Sequence, residues 1–115
     1  MKNQRTDKTF VEALGELMRG RYADGPFGTP TIAALVRDLG EGWHYENVRK
    51  ILAGERGLPM NFVAETARVF GKEPEYFLEY RVDAIHRALK GHPEIVGPVY
   101  ETVQGLLPPG ERVEG

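Results

Sequence analysis

The sequence predicts an all-α protein, and two observations carry that expectation. Apolar residues recur three and four apart in successive stretches, as Phe10, Leu14, Leu17 and Met18 do, and as Ile32, Leu35, Val36 and Leu39 do again. Between these stretches stand helix stop and start signals: Gly20, the Gly-rich run from Arg21 to Thr29, Thr29-Pro30, Gly40-Glu41-Gly42, Gly54, Gly71 and Gly91-His92-Pro93. Composition agrees with a folded chain. At 115 residues, 41% of them hydrophobic and 28% charged, the chain is long enough to bury one core and to carry an appendage.

The first eight residues are polar and without periodicity, so they are expected to fray. Lys2, Arg5 and Lys8 are otherwise a candidate basic arm for a minor groove. The first helix is expected from near Thr9 to Arg19, with Asp7 as its N-cap, Phe10, Val11, Leu14, Leu17 and Met18 as its stripe, and Gly20 as its end. Arg21 to Thr29 reads as a loop whose Tyr22 and Phe27 fold back over the core, with Arg19 and Arg21 open to phosphates. Thr29 at the N-cap and Pro30 at the first helical position start the second helix.

Gly40, Glu41 and Gly42 make a corner, Gly40 being able to take positive φ, and Trp43 is expected to plug the space between the flanking helices. In the third helix, written HYENVRKILAG, the apolar Val48, Ile51 and Leu52 claim the inner face. Tyr45, Glu46, Arg49 and Lys50 therefore point outward. Such a face offers what a major groove demands of a helix: donors for guanine edges and cations for phosphates. Asn47 borders the core face and either reads adenine or braces the turn.

Val63, Thr66, Ala67 and Phe70 pack a fourth helix closed by Gly71. A fifth helix is expected to begin at Glu75 and to continue to about Lys90, with Tyr76 and Phe77 as the lid of the core. Beyond the Gly91-His92-Pro93 break, Pro98 kinks a last helix or marks its start. These added helices must bury their apolar stripes on the bundle or on a second copy of the chain. The expectation is a homodimer, with Val82, Ile85, Leu89, Ile95, Val99, Tyr100, Val103 and Leu106 as the contact residues. The tail from Pro108 is expected to be unstructured, so the chain divides into 1–80, 81–107 and 108–115.

The pattern Thr31, Leu35, Val36, Leu39, Gly40, then Val48, Ile51, Gly54, then Val63, Ala67, Phe70, Gly71 resembles the Cro/XRE family of helix-turn-helix DNA-binding domains. Pro74, Tyr76 and Phe77 fit that family's last short helix. The resemblance implies a lambda-repressor-like bundle of about five helices, with one or two helices added at its C-terminal end, whose second helix braces the DNA backbone and whose third reads bases. Between Gly40 and Gly54 this chain carries two residues more than the family's common spacing, and Leu52 stands where the family often has Glu. The acidic helical appendage and the Gly/Pro-rich loop before the second helix are similar to the mycobacterial secretion-regulator branch, in which such an appendage dimerises.

Net charge is −2, which is low for a protein that neutralises phosphates. Residues 1–60 carry nine Lys and Arg against eight acids, and residues 61–115 carry six against nine, so binding must rest on a local patch. Glu41, Glu46 and Glu55 lie near that patch and repel phosphates unless they turn away or accept from a cytosine amine. With no Cys, thiolate metal sites and disulfides are excluded. His44, His86 and His92 lack metal-ligand spacing, and no nucleophile elbow or phosphate-cradling glycine loop is present. No signal peptide or apolar span is seen, so no membrane partner and a cytoplasmic location are expected. The expected function is a sequence-specific, dimeric DNA-binding regulator without cofactor or catalytic residues. Tyr45, Glu46, Asn47, Arg49 and Lys50 would face the groove, and Arg19, Arg21, Arg37 and Arg56 would face phosphates. The alternative is a protein-interaction adaptor, antitoxin-like or polymerase-binding, that uses the same fold and its acidic second half.

Overall fold

The computed structural model describes residues 5–22 and 31–112. Among them are six α-helices and no strand: α1 (Phe10–Tyr22), α2 (Ile32–Leu39), α3 (Tyr45–Leu52), α4 (Met60–Val69), α5 (Leu78–Gly91) and α6 (Val96–Leu106). Single 3-10 turns stand at Pro74–Tyr76, Pro93–Ile95 and Pro109–Glu111. The all-α expectation holds. The chain divides into two compact units, Met1–Asp83 and Ala84–Gly115, each with its own internal organisation.

In the first unit α1 starts on a capping box, not on Asp7. The Thr9 hydroxyl accepts from the Glu12 amide at 3.3 Å while the Glu12 carboxylate accepts from the Thr9 amide at 3.2 Å, so each satisfies an orphan donor of the other. The helix also runs through Gly20 to Tyr22, because Tyr22 buries its ring and so extends the apolar stripe by another turn. That stripe is Phe10, Ala13, Leu14, Met18 and Tyr22; Val11, one residue and therefore about 100° off the face, is exposed. Thr6 and Lys8, expected to be without partners, both make contacts. The Thr6 amide donates to the Tyr76 carbonyl at 3.0 Å, Arg81 donates to the Thr6 carbonyl, and Lys8 pairs with Glu16. Lys2 and the loop residue Phe27 lie outside the described residues.

The start of α2 differs from the sequence reading in the same way. Its N-cap is Thr31, extended at φ −132° and ψ 154°, with its side chain accepting from the Ala34 amide at 3.1 Å. Thr29 and Pro30 lie outside the described residues. After Leu39 the chain turns on Gly40, whose φ of 87° and ψ of −159° are open only to glycine. Gly42 adds a second positive φ, and α3 begins three residues later.

One aromatic-centred core fills this unit. Phe10 of α1 meets Phe62 of α4 at 5.7 Å and Phe77 at 4.7 Å between ring centroids, and all three rings are fully buried. Leu35 and Leu39 enter from α2, and Val48 and Ile51 from α3. Trp43 packs on Phe62 at 5.0 Å, as its place after the corner suggests. Phe77 is not the first turn of a helix: it is extended, at φ −86° and ψ 135°, which swings its ring inward before α5 begins at Leu78. The Glu79 carboxylate then accepts from the Phe10 amide at 2.9 Å, tying α5 to the start of α1.

In the second unit α6 begins at Val96, so Pro98 sits in its first turn, where a missing amide hydrogen breaks no helix bond. The tail is not wholly irregular. Pro109–Glu111 form a 3-10 turn and Arg112 donates to the Leu107 carbonyl at 3.0 Å. None of the described residues of this unit is buried.

Candidate functional site

The third helix is amphipathic over only eight residues, and that brevity defines the site. Val48 and Ile51 point into the core, so Tyr45, Glu46, Arg49 and Lys50 have only the opposite side left to occupy. Tyr45 is 50% exposed. His44 at the N-cap makes no side-chain cap hydrogen bond.

The far end of α3 closes in a Schellman motif. The Gly54 amide donates to the Ile51 carbonyl at 3.2 Å and the Glu55 amide to the Lys50 carbonyl at 2.9 Å, with Gly54 at φ 80°. This reversal carries Glu55 and Arg56 back alongside the outward face. There, Arg49 is held on two sides. The Glu46 carboxylate accepts from its Nε at 3.2 Å and from its Nη2 at 2.7 Å, a two-bonded contact, while Glu55 lies 3.4 Å from Nη1. Beside it Arg56 donates to the Asn47 side-chain oxygen at 2.7 Å, so Asn47 braces the turn.

The electrostatics follow from these pairs. Arg49 lowers the Glu46 carboxyl below its ordinary range, and Glu46, with Glu55, raises Arg49 further above its own. Glu46 and Arg49 form one group, not two independent readers. Lys50 and Arg56 have no carboxylate partner among the described residues, so three cations face two carboxylates around α3.

The remaining arginines assemble elsewhere. Arg21 and Arg37 both donate to Asp38, at 3.2 and 3.1 Å, and Tyr22 donates to the same carboxylate at 2.7 Å. Arg21 also stands over the Phe70 ring, 5.7 Å from its centroid. Arg19 is exposed and enters neither group. No hydrogen bond or ion pair joins the Asp38 cluster to the α3 cluster among the described residues. Asp38 itself went unnoticed in the sequence reading, although an acid flanked by Arg37 is a local signal. Glu46 and Arg49 are expected from the sequence to face the groove separately, although their spacing of three on a helix is itself a signal of the pair that they form.

In the second unit Ile85, Tyr100, Val103 and Leu106 are exposed, and so is Val82 at the end of the first. Leu89, Ile95 and Val99 are half-buried. No group of His, Cys, Asp and Glu that could hold a metal ion occurs among the described residues, and no helix of the structure is long and apolar enough to cross a membrane. No family model, curated protein or solved structure matches the chain.

Proposed function

We propose that the chain is a sequence-specific DNA-binding transcriptional regulator of lambda-repressor-like architecture, acting as a homodimer with α3 in the major groove. The reading rests above all on the outward face of α3. A polar face of Tyr45, Arg49 and Lys50, with Arg56 brought alongside by the Gly54 reversal, has the shape and donors of a groove reader. Arg49 and Tyr45 face bases, Lys50 and Arg56 face phosphates, and Arg19, Arg21 and Arg37 are outer phosphate contacts. The exposed apolar residues of α5 and α6 supply the dimer surface, which would set two reading helices about 34 Å apart. No cofactor or catalytic group enters this function, and the protein would work in the cytoplasm, on the nucleoid when bound.

A second reading has one specific observation in its favour. Arg49 is neutralised by two carboxylates and Arg21 and Arg37 share a third, which suits a protein-interaction adaptor better than a polyanion binder. Binding to random-sequence duplex DNA across about 50 to 200 mM salt, followed by selection of the retained DNA, separates the two. Enrichment of a palindrome with half-sites about 10 base pairs apart supports the regulator. Absence of binding at the lowest salt supports the adaptor.

A further inference from the structure

The contact between Glu46 and Arg49 does more than lower the charge of α3. A guanidinium has two edges, each presenting a pair of parallel N–H bonds. Glu46 occupies the Nε and Nη2 edge, with contacts of 3.2 and 2.7 Å. The other edge, formed by Nη1 and the second hydrogen of Nη2, meets only the 3.4 Å contact from Glu55, which is longer than an ordinary hydrogen bond. That edge matches the O6 and N7 acceptors of guanine in a major groove.

Building on the DNA-reading function above, we propose that Glu46 is a positioning residue that holds Arg49 in the orientation with which it reads one guanine in each half-site. Glu46 itself reads no base. An isolated surface ion pair contributes little to stability, so a two-bonded contact on an exposed helix face has its main effect on side-chain freedom. Freezing a long side chain during binding weakens affinity by roughly twofold to tenfold, a loss removed when the side chain is already set. Glu55 yields its Nη1 contact to the guanine. Lys50, one turn from Glu46 and close enough for its charge to lower that carboxyl, makes no ion pair among the described residues and is left to a phosphate.

Two effects of removing the Glu46 charge then have opposite signs. Non-specific attraction to phosphates strengthens, because one repelling carboxylate is gone. Preference for guanine weakens, because Arg49 is no longer set. A damaged fold would lower both together.

The experiment is selection from a duplex library with a randomised centre, using the whole chain, its Glu46→Gln variant and its Arg49→Lys variant at one salt concentration. The expected result is that the parent enriches guanine at one position per half-site and that both variants lose this preference, by about tenfold, at that same base pair. Glu46→Gln is also expected to bind unselected DNA more tightly than the parent. If Glu46→Gln loses its preference at a base pair other than the one lost by Arg49→Lys, Glu46 reads a base directly and the inference is overturned. It is equally overturned if Glu46→Gln keeps every preference of the parent. A parent that enriches no sequence removes the DNA-reading function itself, an outcome visible before any variant is compared.

Discussion

The hydroxyl of Tyr22, the last residue of α1, donates to the carboxylate of Asp38 near the end of α2 at 2.7 Å. This bond ties together two helices separated in sequence by residues 23–31. Arg37 and Arg21 donate to the same carboxylate, whose side chain is only 20% exposed. Asp38→Asn is expected to lower stability by about 1 to 3 kcal/mol, the usual effect of weakening hydrogen bonds to a charged group. Urea unfolding checks it.

The two partners of this bond shape opposite limbs of the pH profile. Arg37 above all, then Tyr22 and Arg21, hold the Asp38 carboxyl below its ordinary value against the opposing effect of burial. The folded state then binds fewer protons than the unfolded one in acid. Stability from this group is complete above about pH 4 and is lost as pH falls through the lowered value. Burial, then Asp38, pushes the Tyr22 phenol up to about 12. Its contribution is complete below about pH 10 and disappears as pH rises toward the raised value. Asp38→Asn should flatten the acid limb, and Tyr22→Phe the alkaline one, in unfolding measured across that range.

Thr66 is fully buried in α4 and its hydroxyl has no hydrogen-bond partner among the described residues. A buried hydroxyl without a partner loses its hydration for nothing, so Thr66→Val, which keeps the shape and removes the polar atom, should stabilise the protein by about 1 kcal/mol. Thr66→Ser retains the hydroxyl and removes the methyl, and should destabilise by a similar amount, about 1 kcal/mol. A pair of thermal melts decides both signs.

Gly54 has open space around the position of a Cβ, so Gly54→Ala tests backbone conformation alone. At φ 80° an alanine costs about 1 to 2 kcal/mol. Loss of the reversal also moves Glu55 and Arg56 from the α3 face. The variant should therefore lose DNA affinity beyond what its lower stability explains, as binding well below its melting temperature will show.

The main features of α3 could be read in the sequence because they depend on local periodicity: Val48 and Ile51 must share a side, and Tyr45 and Arg49 the other. Helix ends were harder to place. Asp7 and Thr29 are good N-caps by residue type, yet Thr9 and Thr31 are used, since a cap is chosen by where the first buried side chain must enter the core. Phe77 illustrates the same limit: helical spacing includes it, but burial of its ring breaks the helix. The Asp38 cluster joins α1 to α2 across a long connection, a geometry that no spacing rule contains. That Asn47 braces Arg56, by contrast, was one of two readings open from the sequence.

Around α3 the cations differ in what they have to offer a phosphate. Among the described residues Arg56 donates to the neutral Asn47 side chain and Lys50 makes no ion pair, so in the proposed DNA complex each should release about one counterion. Arg56→Ala should weaken binding to all sequences and flatten the salt slope by about one unit. Arg49→Ala should instead relax sequence preference, because its charge is already balanced by Glu46 and Glu55. Salt titrations on selected and unselected duplexes distinguish the two. An Arg49→Ala variant that binds every sequence as the parent does would mean that α3 is not the reading helix.

The apolar residues of the second unit lead to the last expectation. Leu106 is 80% exposed, Val103 44% and Ile85 55%, and no described residue from Ala84 onward is buried. A stripe of this kind is covered in solution by whatever relieves its contact with water, and a second copy is always present at the same concentration. Val103→Glu and Ile85→Glu place a charge on α6 and α5 respectively, and an unpaired charge inside an apolar contact is strongly unfavourable. If α6 forms the contact, Val103→Glu gives a monomer by sedimentation while Ile85→Glu remains a dimer; if α5 does, the order reverses. Either monomeric variant should bind a palindromic duplex far more weakly than the parent, since the second half-site is no longer tethered to the first. A parent that sediments as a monomer at every concentration would remove the homodimer and leave the stripe to a different protein, which is the adaptor reading.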